Sequence, residues 1–318
     1  MGLNLDPLAA PDAVPLRDAA TVLVLRDGDD GLEVFMLRRN LKSDFVGGAY
    51  VFPGGAVDPD DRHDDLEPVC EGRSDLDASL RLGIDRGGLA FWVAAIRESF
   101  EEAGLLLAYG HDGDFVDLDN SVDIARWAEH RVEVDQGRRR IVELCEAEAL
   151  RLAVDRMHYF GHWITPVGAP RRYDTRFFVT GAPTNQTLLH DDHEVIDNEW
   201  VRPAEALRRF REGSMTMMPP TVSSLKAMTR FESAGDALAA ATEIAHVPAI
   251  LPRVISVDGG MRIVLPGDPA YDGEAIFQPS DKPWMGRVTE ASKAVIDETP
   301  DLVAGATTGF GPDPQEHM

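Results

Sequence analysis

Apolar positions between residues 19 and 39 fall into two runs, "AATVLVLR" at 19–26 and "LEVFMLRR" at 32–39, separated by an Asp/Gly turn. β-Branched and aliphatic residues bounded by turn formers predict two β-strands joined in a hairpin. "AYVFPGG" adds a short third strand that ends at Pro53, where the missing N–H and the two glycines release the chain into an irregular loop. Residues 58–88 are rich in Asp, Gly and Arg with little periodicity, which predicts a surface insertion of weak structure. "LAFWVAAIRESFEEAGLLLA" at 89–108 has helical spacing, with Phe91, Ala94, Ala95 and Ile96 among its apolar positions and Gly104 near its C-terminal end.

Two further helices are expected within 121–157, where "RRIVELCEAEALRLAVDRM" repeats apolar residues at Ile141, Leu144, Cys145, Ala149 and Leu152. Strands return in "GHWITPV" and "YDTRFFVTG", followed by a loop, "TLLHDDHEVIDNEW". A helix then begins near Pro203, a residue suited to a first helical turn, and another at "PPTVSSLKAMTRF" with Thr221 as its cap. Past residue 247 the pattern predicts a hairpin across Asp258-Gly259-Gly260, and residues 297–318 read as a frayed, disordered acidic tail. No internal repeat is present.

At 318 residues and 44% hydrophobic content the chain can bury a substantial core. Its 55 acidic against 31 basic residues leave a formal charge of −24, which disfavours nonspecific contact with nucleic acid or anionic membrane and requires that a phosphate substrate be met by local cations. Cys70 and Cys145 are the two cysteines, so a disulfide framework is excluded and reduced thiols are expected. No leader pattern or apolar run of membrane-spanning length is seen, and the chain ends "PQEHM" without a peroxisomal address, so a cytoplasmic location is expected.

The chemistry concentrates on the helix at 89–108. Glu98, Glu101 and Glu102 stand at i, i+3 and i+4, so three like charges share one face. Such a face needs a cation, and a hard divalent ion with oxygen ligands meets that need. Arg97 can reach Glu101 four residues on and orient it.

"FPGG" followed by "RESFEEAGL" resembles the signature of the Nudix hydrolases: a Gly, five residues, an acid, seven residues, then Arg-Glu, an aliphatic, any residue, Glu-Glu, any residue, Gly and an aliphatic. Gly55 supplies the first glycine, Asp61 stands at the first acid, and Arg97, Glu98, Glu101, Glu102, Gly104 and Leu105 fill the second half. Between Gly55 and Arg97 lie 41 residues where the compact pattern has thirteen, and Ser99 replaces the first aliphatic. The likeness extends to the mammalian peroxisomal-type acyl-CoA diphosphatases through "GGAYVFPGGAVD", "HWITPVGAPRRYDTRFFV", "EVIDNEWVRPAEA", "MMPPT" and "VISVDGGMRIVLPGDPAYD".

This resemblance implies an α/β Nudix fold, a mixed sheet between helices, over residues 15–235. An acidic insertion at 58–88 and a helical one at 121–157 enlarge it, and a C-terminal extension follows at 236–318. It implies hydrolysis of the diphosphate of CoA or acyl-CoA to 3′,5′-ADP and (acyl)phosphopantetheine, with Mg²⁺ or Mn²⁺ held by Glu98, Glu101, Glu102 and the main-chain carbonyl of Gly54. Glu98, Glu101, Arg97 and Glu194 are the expected catalytic residues, with Glu199 as rival to Glu194. Arg38, Arg39, Gly55, Arg171 and Arg172 are expected at the substrate. CoA-cleaving members carry Gly-x-x-x-Phe-Pro-Gly-Gly, matched by Gly48 through Gly55, but the basic residue expected four positions earlier is Asp44, with Lys42 nearby.

Hydrolysis of another nucleoside diphosphate derivative (a nucleotide sugar, NADH or a dinucleotide) and a non-catalytic nucleotide sensor stay open as alternatives, as does a homodimer. The pairs His158/His162 and His190/His193 lack the company of a zinc site and are read as strand packing and solvent-facing residues. "MTMM" at 215–218 reads as core filler or as an apolar lip for an acyl chain.

Overall fold

The computed structural model describes residues 14–40, 47–169, 171–188, 195–257 and 260–272. In chain order the elements are β1 (Leu16–Gly28), β2 (Gly31–Arg39), β3 (Tyr50–Val51), β4 (Gly54–Ala56), α1 (Asp75–Leu82), α2 (Leu89–Ala103), β5 (Ala108–Tyr109), α3 (Ile124–Asp135), α4 (Ile141–Glu148), β6 (Arg151–Leu152), β7 (His158–Ile164), β8 (Arg172–Gly181), β9 (Val195–Val201), α5 (Pro203–Arg211), α6 (Pro219–Met228), α7 (Ala234–Thr242), β10 (Ala249–Ile250), β11 (Arg253–Val257) and β12 (Gly260–Val264).

A mixed sheet runs β10-β7-β8-β1-β2-β3, with β4 paired to β1 and β9 to β2. The central strand β1 lies parallel to β8 over Leu16↔Arg172 to Leu25↔Gly181 and antiparallel to β2 and β4. It is covered on both faces, which is why its sequence reads as a continuous apolar run. Ala20, Val22 and Val24 face a core that includes α2, while Leu23 and Leu25 face a second core with Leu207, Leu225 and Ala237 from α5, α6 and α7. The result is the helix-sheet-helix sandwich expected.

Within α2 only Glu98 and Glu101 are less than fully buried, as suits a helix that is apolar around most of its circumference. It ends at Gly104, as its sequence predicts. Where an irregular loop was expected after Pro53, residues 54–56 form β4, and the Pro53 carbonyl accepts from Val22 N–H at 2.9 Å.

Residues 58–88 are far from weakly structured. Leu66, Cys70, Ala78 and Leu82 join the α2 core, and α1 opens on a capping box between Ser74 and Asp77. Asp75 accepts from Gly87 N–H at 2.9 Å and Leu89 N–H at 3.0 Å, so the insertion caps the catalytic helix's N-terminus.

Other differences follow from tertiary pairing. Val195–Val201, expected as loop, is a strand completed by β2. Helix α6 starts at Pro219 with Met218 at its cap position, leaving Thr221 buried inside the first turn. Residues just past 235 pack onto the sheet: α7, capped by Ser233, contacts β7 and β8, and β10 adds beside β7. The β11–β12 hairpin forms, with Val257 opposite Gly260; Asp258 and Gly259 lie outside the described residues, as does the acidic tail. Both cysteines are free and buried. Among the described residues no helix is long and apolar enough to cross a membrane.

Removing the Asp75 carboxylate takes away two charge-assisted bonds at the head of α2. Asp75→Ala should cost about 1–2 kcal/mol and lower Tm by roughly 2–8 °C in a thermal melt, whereas an insertion that merely decorates the surface would leave Tm unmoved.

Candidate active site

Two elements meet at the carboxylate face of α2. From one side comes the β3–β4 turn, "FPGG". Gly54 has φ +153°, and a Cβ there would lie 2.3 Å from the Ala20 carbonyl oxygen. Its N–H donates to Glu102 Oε2 at 2.9 Å. A Cβ on Gly55 would lie 2.4 Å from Glu98 Oε1. Glycine is therefore required at Gly54, where φ is positive and the clash is with backbone, while a side chain at Gly55 would push the Glu98 carboxylate aside.

Arg97 joins turn, insertion and helix. Its Nε and Nη2 donate to Asp61 at 3.0 and 2.9 Å, Nη2 also to the Ala56 carbonyl at 2.9 Å, and Nη1 to Glu101 at 2.8 Å, with Glu98 Oε1 3.0 Å away. Four hydrogen bonds thus leave the guanidinium, and Glu98 adds an ion pair at Nη1. Asp61 is 2% exposed, so the fork to Arg97 is a buried ion pair, and the first acid of the signature occupies its place despite the residues inserted after it.

Three acids, Asp61, Glu98 and Glu101, surround this one guanidinium, and burial then acts on their protonation. It raises the pKa of Glu98 to about 7 and that of Glu101 to about 8, against the lowering influence of Arg97. Arg97 itself loses solvation, yet Asp61, Glu98 and Glu101 hold its pKa above the ordinary value. Such a set of uncompensated, oxygen-only donors fits a hard divalent cation. As they stand, no three acidic, imidazole or thiol groups among the described residues converge closely enough to hold one. Glu101 is turned to Arg97 and Glu102 to the Gly54 N–H.

The carboxylates open into a cavity of about 530 Å³, whose lining includes Gly54, Gly55, Arg97, Glu98, Glu101, Glu102, Arg39 and Arg171. Arg38 and Arg172, expected at the substrate, do not line it. Arg38 sits 5.7 Å from the Tyr50 ring centroid. Arg172 is buried and donates from Nε to the Thr165 carbonyl at 3.2 Å. Strand alternation separates it from Arg171. Glu199 is held by Arg209 at 2.5 Å, away from the cavity. Glu194, His190, His193, Lys42 and Asp44 lie outside the described residues. His162 is buried beside Asp174 and Arg176, and Met215 and Met217 are core, while Met218 lines the cavity.

One wall comes from residues that no local motif signals: Val134, Asp135, Gly137 and Arg139, at the joint between α3 and α4. Arg131 fixes that joint by donating to the Glu101 carbonyl at 2.9 Å.

Residues 84–228 match the family described as the NUDT19 Nudix domain. This match and the relatives that follow support a Nudix hydrolase of the NUDT19 branch. Acyl-coenzyme A diphosphatase NUDT19 of Homo sapiens is 28% identical over 284 residues, covering 78% of this chain and 74% of the relative. The Gallus gallus protein of that name is 27% identical over 329 residues, covering 89% and 85%. A Nudix hydrolase from Alicyclobacillus acidocaldarius superposes with a TM-score of 0.60 at 26% identity, over 71% of this chain and 97% of that one. The family match begins beyond the glycine turn and Asp61. Contacts to Arg97, Glu98 and Glu102 bring those parts of the signature to the helix.

Asp61→Ala would strand a buried guanidinium beside its remaining partners and should cost about 3 kcal/mol, roughly 6–12 °C in Tm. The raised Glu98 and Glu101 values set a second expectation. Between pH 4.5, where these carboxyls titrate unfolded, and about 7 to 8, where they titrate folded, the native state binds more protons. In EDTA, stability should therefore fall as pH rises through that window, and Glu101→Gln should flatten the fall; a Tm that rises from pH 5 to 8 would contradict the assignment.

Proposed function

We propose that this Nudix hydrolase cleaves the diphosphate of CoA or acyl-CoA, giving 3′,5′-ADP and (acyl)phosphopantetheine. The observation that carries the chemistry is the convergence of the glycine turn and the Glu98–Glu101–Glu102 face, fixed by Arg97, on one cavity that also holds Arg39 and Arg171. The substrate is supported by the relatives named acyl-coenzyme A diphosphatase, which align over most of both chains.

Mg²⁺ or Mn²⁺ bound by Glu98, Glu101, Glu102 and the Gly54 main chain would screen the diphosphate's charge and acidify a water. The remaining work belongs to side chains. Glu98, pressed against Gly55, receives the proton as water oxygen attacks phosphorus. The bridging P–O bond breaks and its electron pair leaves on the departing phosphate. Arg97 holds Glu98 and Glu101 in place, and Arg39 and Arg171 orient the phosphates through charge. Glu194 is a further acid in this proposal, as a ligand or base. Retention of all three helix glutamates favours an enzyme over a non-catalytic sensor.

Product analysis by mass spectrometry, with Mg²⁺ or Mn²⁺ and a panel of CoA, acyl-CoA, NADH, ADP-ribose and dinucleoside polyphosphates, should find 3′,5′-ADP from the CoA compounds. Cleavage confined to another panel member would replace the substrate and keep the chemistry. Glu98→Gln and Glu101→Gln should each lower kcat by about 10²–10⁴ with the fold intact, and unchanged turnover in both would remove the carboxylates from the reaction. The added metal should also raise Tm at pH 8 in the wild type more than in Glu101→Gln.

A further inference from the structure

We propose that the acyl chain of an acyl-CoA substrate is received in an apolar slot that opens from the diphosphate cavity between β7, β8 and the C-terminal hairpin. This rests on the CoA reading above. The slot holds about 150 Å³ and is walled by Trp163, Pro219, Pro252 and Ile263. Tyr173, Thr175, Phe177, Met218 and Pro220 line both slot and cavity, so the two spaces are adjacent.

Register gives the reach. Ala56 pairs with Ala19, Ala19 with Thr175, and Thr175 with Trp163, one row across four strands. Three strand spacings of about 4.8 Å put the slot on the order of 14 Å from the Gly55–Glu98 contact. The arm of CoA consists of three residue-like units, pantoate, β-alanine and cysteamine, which extend on the order of 10 Å or more. A diphosphate at the carboxylates thus places the thioester at the mouth of the slot. Adenine suits the slot poorly, because its ring edge needs hydrogen-bond partners that apolar walls do not offer. An apolar cavity of about 150 Å³ accepts a benzene-sized group, so roughly six carbons fill this one.

The test is kcat/KM across CoA and its acetyl to palmitoyl thioesters, for the wild type, Ile263→Trp and Ile263→Ala. Ile263 is half-buried on the hairpin, so its replacement spares both main cores. In the wild type kcat/KM should rise about fourfold per CH₂ from acetyl to about hexanoyl and then level off. Ile263→Trp should lower the hexanoyl-to-acetyl ratio tenfold or more, and Ile263→Ala should move the optimum to longer chains. Should the tryptophan variant not fold, the shift in the alanine variant decides. Cleavage of CoA compounds with no dependence on chain length, or with a dependence that neither variant alters, overturns the slot alone. Cleavage of NADH or ADP-ribose but no CoA compound overturns the CoA reading and the slot with it.

Discussion

Everything around the carboxylates depends on satisfying one buried guanidinium. A buried arginine with five donors tolerates no vacancy, because each unpaired N–H would forfeit its hydration without return. Arg97 meets that demand with partners from three places: Asp61 in the insertion, the Ala56 carbonyl at the end of β4, and Glu98 and Glu101 on its own helix. The glycine turn is thereby held at a fixed height on α2, and the approach is close enough that Gly54 cannot carry a side chain and one on Gly55 would displace the Glu98 carboxylate. The same pairing explains how the signature survives so long an interruption. The entropy of closing a loop grows slowly with its length, so residues inserted after Asp61 add little cost once the pair is made. Here they also fold, bury Leu66 and Leu82 against α2, and cap its first turn through Asp75.

The acid excess around Arg97 is a functional charge state held in a low-dielectric wall. One cation cannot neutralise three carboxylates, and burial lifts Glu98 and Glu101 towards neutrality instead. In a chain of charge −24 the long-range field repels a diphosphate, so attraction has to be built within the cavity, from Arg39, Arg171 and the metal its oxygen ligands suit. Charge that is costly in the free enzyme is then what binds the cation.

Much of this was legible in residue patterns, for identifiable reasons. The β1–β2 hairpin, α2 and its carboxylate face rest on strong local periodicity, and Asp61 on the spacing of the signature the chain resembles. Helix α1 also left a local sign, Ser74 and Asp77 at capping-box distance, hidden among Asp and Gly residues that otherwise suggest loop. Strand β9 left none: "VIDNEWV" alternates poorly and is a strand because β2 offers it an edge. Helix α7, "AGDALAAAT", is too short and Ala-rich to show a clear apolar stripe, and is stabilised by its Ser233 cap and the sheet beneath. Arg171 and Arg172 show the limit of naming basic pairs. On a strand, adjacent side chains point apart, so one of the two had to leave the cavity, and Tyr173 and Thr175 identify which. The wall from Asp135 to Arg139 is tertiary, set by Arg131 reaching the end of α2.

Alternation along β8 also ties binding to chemistry. Its odd residues Tyr173, Thr175 and Phe177 line the cavity and the slot, with Arg171 just before the strand at the cavity, whereas even residues such as Arg176 and Phe178 turn towards α2. There Arg176, buried with Asp174 and His162, lies 5.1 Å from the Phe91 ring centroid, and Phe178 stacks against Trp92 at 4.5 Å. Phe91 and Trp92 stand in the first turn of the helix that carries the glutamates. One strand thus grips the carboxylate helix with one face and presents the substrate surface with the other. A packed, hydrogen-bonded contact of this kind transmits little slack. Variation at the apolar end of the cavity, on the hairpin side, can therefore alter which substrate tail is accommodated while the reacting phosphate keeps its position against Glu98.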